Sequence, residues 1–234
     1  MNLKNKTVLI TGGNSGLGFA IAKELVKKNS KIIILGKDKK GVEMARKKLN
    51  SPLISTIVCD LRDYKDIQKK LKNIRHLDIL INNAGVWLEG QLQNNKFLDI
   101  ANVININLTG LICITKIILP IMLKKNHGII FNISSTSGIN PKTNQSIYIA
   151  SKYGVTGFTK SLQKDLENTN IKVFGFYPGG MKTNLFNKTN SKKDVSNFMD
   201  PQQIAKIIVF ILQRPQSVNM DHVVINRSKV NKVN

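Results

Sequence analysis

The stretch TVLITGGNSGLG, residues 7–18, joins a short apolar run to a glycine-rich turn and to the start of a helical pattern. Its glycines at positions 12, 16 and 18 remove side chains where the turn is tight and where the backbone must approach a ligand. The apolar residues after the turn recur at spacings of three and four, which predicts a helix. They are Leu17, Ala20, Ile21 and Leu25. The free N–H groups at the start of that helix favour a pyrophosphate, so the stretch predicts a nucleotide site.

The glycine spacing narrows the kind of nucleotide site. The order G-x-x-x-G-x-G differs from the usual dinucleotide fingerprint G-x-G-x-x-G, so the placement between a strand and a helix carries the inference. No G-K-[ST] follows the turn, which argues against a P-loop nucleotidase.

Six further runs have the composition of strands. Most are apolar on successive residues, which is typical of parallel strands buried on both faces. With the first run they are TVLIT (7–11), KIIIL (31–35), ISTIVC (54–59), LDILI (77–81), GIIFNIS (128–134), IKVFGFY (171–177) and HVVIN (222–226). Helical patterns lie between them, so the chain predicts a Rossmann-type α/β fold. We expect a doubly wound parallel sheet of about seven strands, with helices on both faces, in a single domain over residues 1–234.

The charge of the chain is strongly positive, with 36 Lys and Arg against 14 Asp and Glu and a net charge of +22. Clustered cations would favour nucleic acid. The lysines are scattered, however, and no basic run is interleaved with aromatic residues as a stacking platform requires. A compositional bias is the simpler explanation, so we expect no nucleic-acid partner. Acidic or phosphorylated ligands would still be favoured electrostatically.

Several common classes of protein do not fit the sequence. The two cysteines, Cys59 and Cys113, lie in apolar segments and suit reduced thiols, and the three histidines show no metal-ligand spacing, so we expect no metal. The polar start, residues 1–6, leaves no room for a secretory signal, which predicts a cytoplasmic protein. The segment 103–123 is apolar enough to suggest a membrane span, but it is interrupted by Asn105, Asn107, Lys116 and Pro120. We therefore predict a buried helix that also contacts a partner subunit.

The segment SIYIASKYG, residues 146–154, places Tyr148 and Lys152 four residues apart. On a helix the two side chains would share a face. Such a pair is common on ordinary helices and by itself indicates little.

Together the motifs resemble the short-chain dehydrogenase/reductase family, and the resemblance covers nearly the whole chain. TGGNSGLG looks like the cofactor loop of the family, and YIASK looks like its Y-x-x-x-K helix. The other matching motifs, in the order that the family requires, are INNAG (81–85), NISS (132–135) and YPGGMKT (177–183).

The resemblance implies catalytic roles for four residues. Tyr148 would be the general acid or base at the substrate oxygen. Lys152 would lower the pKa of that phenol and bind the nicotinamide ribose. Ser135, thirteen residues before Tyr148, would hold the substrate carbonyl, whereas Ser134 is expected to be a strand-end residue. Asn107 would order a water behind the lysine, or else it is a polar residue satisfied within a buried helix.

The resemblance also implies a cofactor, NADP(H) in preference to NAD(H). The position where NAD-preferring members carry a carboxylate is Gly36, and Lys37 follows it as a cation for the 2′-phosphate. Asp38 is either a displaced NAD determinant or the N-cap of the helix that runs to Leu49. The remaining expected cofactor contacts are Gly12, Asn14, Ser15, Gly16, Leu17, Gly18, Asp60, Leu61, Asn83, Ala84, Gly85, Pro178, Gly179 and Thr183, together with Tyr148 and Lys152.

The expected activity is hydride transfer between a nicotinamide and a small carbonyl or alcohol substrate, with a 3-oxoacyl group on an acidic carrier as one option. A lid loop is expected near residues 184–200, and a homodimer or homotetramer is expected as the assembly. Trp87 has no counterpart in the family motifs and is expected to be a partly buried loop aromatic. The alternative is a non-catalytic dinucleotide-sensing or interaction protein on the same scaffold.

Overall fold

The computed structural model describes residues 1–186 and 194–228. All seven predicted strands are present and form one parallel sheet in the order β3-β2-β1-β4-β5-β6-β7. Their ends differ from the predicted ends by at most two residues. The strands are β1 (Thr7–Thr11), β2 (Lys31–Gly36), β3 (Ile54–Val58), β4 (Ile79–Asn82), β5 (Gly128–Ile133), β6 (Ile171–Pro178) and β7 (His222–Ile225). The predicted fold class is confirmed.

Helices cover both faces of the sheet. They are α1 (Gly16–Val26), α2 (Lys39–Leu49), α3 (Tyr64–Leu71), α4 (Phe97–Ile104), α5 (Gly110–Lys125), α6 (Ser146–Asp165) and α7 (Pro201–Leu212). One apolar core contains residues of α1, α2 and α7, and a second core contains residues of α3, α5 and α6. Successive strand residues point to opposite faces, so Ile10 joins the first core and Leu9 the second. This division explains why the strands are apolar at consecutive positions.

The strand order indicates at which end of the sheet a ligand would bind. The chain runs outward from β1 through β2 to β3, and then returns to pair β4 with the other side of β1. In open parallel sheets, ligands bind outside the carboxyl ends of the strands at such a switch point. The segments after Thr11 and Asn82 meet there.

The long apolar helix predicted at residues 103–123 extends from Phe97 to Lys125 and includes a π-helical turn at Asn105–Thr109. Its length and apolar composition would suit a membrane span. Ile114, Ile118 and Met122 are instead buried in the core against the sheet, as expected of a core helix. The π-helical turn is a departure from the predicted regular helix, and such turns often occur at functional sites.

Candidate active site

A cavity of about 750 Å³ lies at the carboxyl edge of the sheet. Nearly all of the residues expected to be catalytic or to contact the cofactor line its wall, although they come from seven separate segments. The two exceptions are Gly18 and Asn107, which lie behind the wall.

The glycine-rich turn has the backbone conformations that its glycines predict. Gly12 and Gly16 have φ angles of +64° and +53°, in the left-handed region that favours glycine. A side-chain carbon on Gly12 would lie 3.0 Å from Cα of Ala84, and one on Gly16 would lie 3.2 Å from Cγ2 of Thr183. The turn is therefore packed closely between the segments that follow β4 and β6.

The start of α1 differs from the starts of the neighbouring helices. Asp38 and Asp63 cap α2 and α3 by accepting hydrogen bonds from backbone N–H groups. Ser15, at the equivalent position of α1, makes no such side-chain bond to any residue that the structure describes. The first N–H groups of α1 thus face the cavity with the positive end of the helix dipole, an arrangement that suits a phosphate. Of the two roles considered for Asp38, the N-cap is the one observed.

Hydrogen bonds join the turn to the end of β4. Thr11 Oγ1 accepts from the backbone N–H groups of Asn83 and Ala84, each at 2.9 Å. Asn83 Nδ2 donates to the backbone oxygens of Thr11 and Gly12. Gly18 packs against this junction from behind, since a side-chain carbon there would lie 2.6 Å from Asn83 Nδ2. Gly18 therefore supports the turn and does not line the cavity.

A charged cluster marks the end of β2. Lys37 Nζ lies 3.5 Å from Asp60 Oδ2, and Arg62 binds the same carboxylate at 2.6 Å. The hydrogen bond from the Arg62 guanidinium, which outweighs the effect of burial, lowers the pKa of Asp60 to about 2. The carboxylate thus stays ionised and paired, while the Lys37 side chain remains 61% exposed at the cavity.

The Gly36 position has no room for a larger side chain. A side-chain carbon there would lie 2.8 Å from both Asn14 Oδ1 and Val42 Cγ2. Asn14 therefore occupies the space beside the end of β2. The carboxylate of an NAD-preferring enzyme could enter this position only if Asn14 moved.

Tyr148 and Lys152 lie on the inner face of α6, and both are 5% exposed. Burial raises the pKa of Tyr148 to about 12, against the opposite effect of its hydrogen bond with Ser135. Burial also lowers the pKa of Lys152 to about 8. The phenol is therefore firmly protonated at neutral pH, and the ammonium loses its proton more easily than an exposed lysine does.

The predicted effect of Lys152 on Tyr148 is not seen in this structure. Lys152 Nζ lies 5.9 Å from the centroid of the Tyr148 ring and donates a hydrogen bond of 3.1 Å to the backbone oxygen of Ile133. Desolvation of the phenolate is the larger influence, so the pKa of Tyr148 rises instead of falling. The expectation of a lowered pKa is wrong for this state of the protein.

The two serines at the end of β5 have different environments. Ser135 lines the cavity and contacts Tyr148. Ser134 Oγ donates to the backbone oxygen of Lys152 at 3.0 Å and contacts Thr156. Ser134 thus helps to hold α6 against the strand end, which agrees with the structural role expected for it.

Asn107 lies in the π-helical turn and is buried. Its amide exchanges two hydrogen bonds with the backbone of Val86, at 2.8 and 3.0 Å, and donates a third to Ser151 Oγ at 3.0 Å. A side-chain carbon on Gly85 would lie 3.4 Å from Asn107 Oδ1 and 3.7 Å from Lys152 Nζ, so both groups face the same glycine. Asn107 therefore holds the loop after β4 in place against α6.

Trp87 has a position that the sequence did not indicate. Its ring centroid lies 4.4 Å from that of Tyr148, and the residue is 7% exposed. Phe186 packs edge-on against Trp87 at 5.1 Å, and Phe198 packs against Phe186 at 5.5 Å. We call Trp87, Phe186 and Phe198 the aromatic wall. Its members come from two distant segments, so local sequence spacing carries no signal of it.

The segment after β6 completes the cavity. Pro178, Gly179 and Thr183, which were expected to contact the cofactor, line it. Of the predicted lid, residues 184–186 and 194–200 are described, whereas residues 187–193 lie outside the described part of the chain. Gln145, which was not predicted, also lines the cavity three residues before Tyr148, and it is buried.

Comparison with known proteins agrees with this arrangement. The family model for short chain dehydrogenases matches residues 6–194. The chain belongs to the short chain dehydrogenase family. It is therefore an NAD(P)-dependent dehydrogenase or reductase. An uncharacterized oxidoreductase of Staphylococcus epidermidis is 30% identical over 227 residues, which cover 95% of this chain and 97% of that protein.

Solved structures of dehydrogenases and reductases have the same fold. Serine dehydrogenase in complex with NADP+ is 27% identical, with a TM-score of 0.88 and coverage of 94% of each chain. A variant of actinorhodin polyketide ketoreductase with NADPH is 25% identical, with a TM-score of 0.85 and coverage of 95% of this chain and 96% of that one.

Proposed function

We propose that this short chain dehydrogenase is an NADP(H)-dependent carbonyl reductase in which Tyr148 exchanges a proton with the substrate oxygen. The observation that carries the proposal is that Ser135, the buried Tyr148 and the glycine-rich turn line the same cavity. Two hydroxyl groups at that point can both bind one substrate oxygen.

The cavity fits a dinucleotide. The uncapped start of α1 and the close-packed glycines offer backbone N–H groups to a pyrophosphate. Lys37 and Asp60, at the far end of the same cavity, would lie beside the adenosine half. When bound, a nicotinamide cofactor supplies or accepts the hydride.

The pKa directions favour reduction of a carbonyl. Because burial raises the pKa of Tyr148 to about 12, the phenol carries a proton that it can donate to a carbonyl oxygen. The ammonium of Lys152 on the same helix face would stabilise the phenolate that this transfer leaves. The reverse reaction would require a phenolate at the outset, which burial disfavours.

The preference for NADP(H) rests on Lys37. This cation lies at the end of β2, where a 2′-phosphate would be bound, and Gly36 has no room for the carboxylate that binds a 2′-hydroxyl. The serine dehydrogenase and ketoreductase structures carry NADP+ and NADPH, which supports the same choice.

We also propose a cytoplasmic protein with one folding unit over residues 1–234, assembled as a homodimer or homotetramer. The described chain exposes apolar side chains along α4 to α6, which a second copy could cover. They are Phe97, Leu98, Leu123 and Tyr153.

The proposal is tested by a panel of ketones and alcohols with NADPH and NADH, followed by the absorbance of the reduced nicotinamide. Tyr148→Phe should reduce turnover by at least about 1,000-fold and leave NADPH binding within twofold. Tyr153→Phe is the matched control, because that exposed phenol lies on the same helix and donates to Ile139 O. Unchanged turnover in Tyr148→Phe would contradict the mechanism. Tight NADPH binding with no turnover on the whole panel would support the dinucleotide-sensing alternative.

A further inference from the structure

The aromatic wall forms a continuous apolar surface that begins at the reactive phenol. Neighbouring ring centroids along the series Tyr148, Trp87, Phe186 and Phe198 are 4.4, 5.1 and 5.5 Å apart. Leu185 and Val195 pack against the same cluster. A substrate whose carbonyl reaches Tyr148 can place its next atoms against these aromatic rings, which favours an apolar body over a small polar one.

A cation lies at the other end of this wall. The guanidinium carbon of Arg227 lies 5.0 Å from the centroid of the Phe198 ring, and Arg227 lines the same cavity. Stacking on the ring restricts the orientation of the guanidinium, while its N–H groups remain able to bind an anion.

The carboxylates near the cavity are held by other groups. Among the described residues of the cavity wall, the two carboxylates are Asp60 and Asp194. Asp60 is paired with Arg62, and Asp194 accepts hydrogen bonds from the backbone and hydroxyl of Ser196. Lys37, Lys142 and Lys152 also line the cavity, but Arg227 is the cation that stacks on a ring of the aromatic wall, so it is placed to meet an anionic group of a ligand that lies along the wall.

We propose that the substrate is an elongated carbonyl compound that is apolar beside the reacting carbonyl and anionic at its far end. The apolar part packs on Trp87, Phe186 and Phe198, and a carboxylate or phosphate binds Arg227. This inference rests on the proposed function and narrows the substrate class of the same site.

Binding can be measured without turnover, because Trp87 is the single tryptophan of the chain. The protein is saturated with NADP+ and titrated with benzylacetone, with its para-carboxylate or with its para-phosphate ester, and the emission of Trp87 is recorded. All three ketones should change the emission. The anionic ketone with the lower dissociation constant should bind about tenfold more tightly than neutral benzylacetone. Arg227→Gln should abolish that difference.

The matched control for Arg227 is Arg214, whose guanidinium carbon lies 3.8 Å from the Phe210 ring centroid on α7, outside the cavity wall. Arg227→Gln should lower kcat/KM for the preferred anionic ketone about tenfold and change that for benzylacetone less than twofold. Arg214→Gln should change neither value by twofold. The two anionic ketones are also compared with each other in the wild-type protein. A larger kcat/KM for the carboxylate indicates a keto acid as the substrate, and a larger kcat/KM for the phosphate ester indicates a phosphorylated ketone.

The wall itself is tested with Phe186→Leu and Phe186→Ala, which remove the ring in two stages, and with exposed Tyr64→Ala as the control. Phe186→Ala should lower kcat/KM at least tenfold for benzylacetone and less than threefold for acetone. Phe186→Leu should have kcat/KM values between those of the wild-type protein and Phe186→Ala. Retained NADPH binding shows that a variant is folded.

Three outcomes would overturn the inference. They are turnover of ketones with no response of Trp87 emission, a preference for the neutral ketone over both anions, and equal losses on all substrates in Arg227→Gln. Binding of the anionic ketone without oxidation of NADPH would support the inference and contradict the proposed reaction, so the two failures are distinguishable.

Discussion

The indole of Trp87 lies against the phenol of Tyr148, with ring centroids 4.4 Å apart and ring planes inclined by 57°. This contact removes one face of the phenol from water and contributes to the burial that raises its pKa to about 12. The same contact makes Trp87 a direct neighbour of any group that reacts at Tyr148. The electrostatics of the phenol and the shape of the substrate site therefore depend on one pair of rings.

The pH dependence of carbonyl reduction should follow Lys152. Its pKa of about 8 means that the ammonium is lost as the pH rises through that value, whereas Tyr148 keeps its proton up to about pH 12. We expect kcat/KM to be constant below about pH 7 and to fall above about pH 8. Lys152→Arg, which keeps its charge, should be slower and lose this fall. A rise in kcat/KM between pH 7 and 9 would instead indicate that the phenolate is the active form.

Replacement of Lys37 should change the cofactor preference. Lys37→Gln removes the exposed cation at the end of β2 and should weaken NADPH binding about tenfold, or ~1.4 kcal/mol, while NADH binding changes less than twofold. Both dissociation constants can be measured by the fluorescence of the reduced nicotinamide. Lys47→Gln, at the opposite end of α2, is the control. An equal effect on both cofactors would place the 2′-phosphate elsewhere.

Asp78 lies immediately before β4, at the end of the sheet opposite to the cavity, and should stabilise the fold through its ionised carboxylate. It is buried, and its carboxylate binds Lys125 at 2.6 Å, Thr7 N at 2.9 Å and His76 at 3.0 Å. Burial alone would raise the pKa of Asp78, but these hydrogen bonds hold it well below its usual range. Asp78→Asn should therefore lower the free energy of unfolding at pH 7 by about 2 kcal/mol in a urea titration.

The sign of the pH effect follows from the lowered pKa of Asp78. The stabilisation is complete above the pKa of about 3.9 in the unfolded chain and is lost as the pH falls through the lower pKa of the folded protein. The difference between the wild-type protein and Asp78→Asn should therefore shrink below about pH 4. Exposed Asp165→Asn should be neutral. A difference that persists unchanged at pH 3 would show that the carboxylate charge is not responsible.

Two glycine-to-alanine substitutions should have opposite effects. Gly18→Ala places a carbon against the Gly12 carbonyl oxygen and Asn83, so we expect a loss of about 1 to 3 kcal/mol in stability and weaker NADPH binding. Gly157 lies exposed within α6, with nothing described within 4 Å of a carbon placed there. Gly157→Ala should stabilise the protein by about 0.5 to 1 kcal/mol in thermal unfolding. A neutral Gly18→Ala would contradict the close packing behind the turn.

The role of Asn107 can be separated from general destabilisation. Asn107→Ala removes its bonds to the Val86 backbone and to Ser151, whereas Ser151→Ala removes only the bond to Asn107 and its own bond to Tyr148 O. We expect Asn107→Ala to lower kcat at least tenfold and to shift the alkaline limb assigned to Lys152. Ser151→Ala should leave that limb in place. If both variants lose only stability, Asn107 is a structural residue.

Much of the cofactor half of the site follows from local sequence. The glycines at positions 12, 16 and 18 and the helix after them specify a strand, a turn and a helix, because the backbone conformations and the helical period are local properties. The N-cap at Asp38 follows from the same local rules. The parallel sheet follows from strands that are apolar on both faces, so the carboxyl edge could be identified as the binding edge.

The substrate half could not be predicted in this way. Trp87 follows β4, Phe186 follows β6, and Arg227 follows β7. Along the chain, 99 positions separate Trp87 from Phe186 (186 − 87 = 99). The direction of the pKa change at Tyr148 was also predicted wrongly, because helical spacing places Lys152 on the same face but says nothing of how deeply the phenol is buried.

The sequence by itself determined the succession of strands and helices along the chain and the glycine-rich turn, because these depend on neighbours within a few positions. The residues expected to react followed from the resemblance of separate motifs to the short-chain dehydrogenase/reductase family. The tertiary structure alone decided that Trp87 covers Tyr148, that Asn14 fills the space beside Gly36 and that Arg227 stands at the end of the aromatic wall. Contacts of this kind arise when separate strands end at one edge of the sheet. Burial and charge at that edge are properties of the assembled sheet and of no single segment.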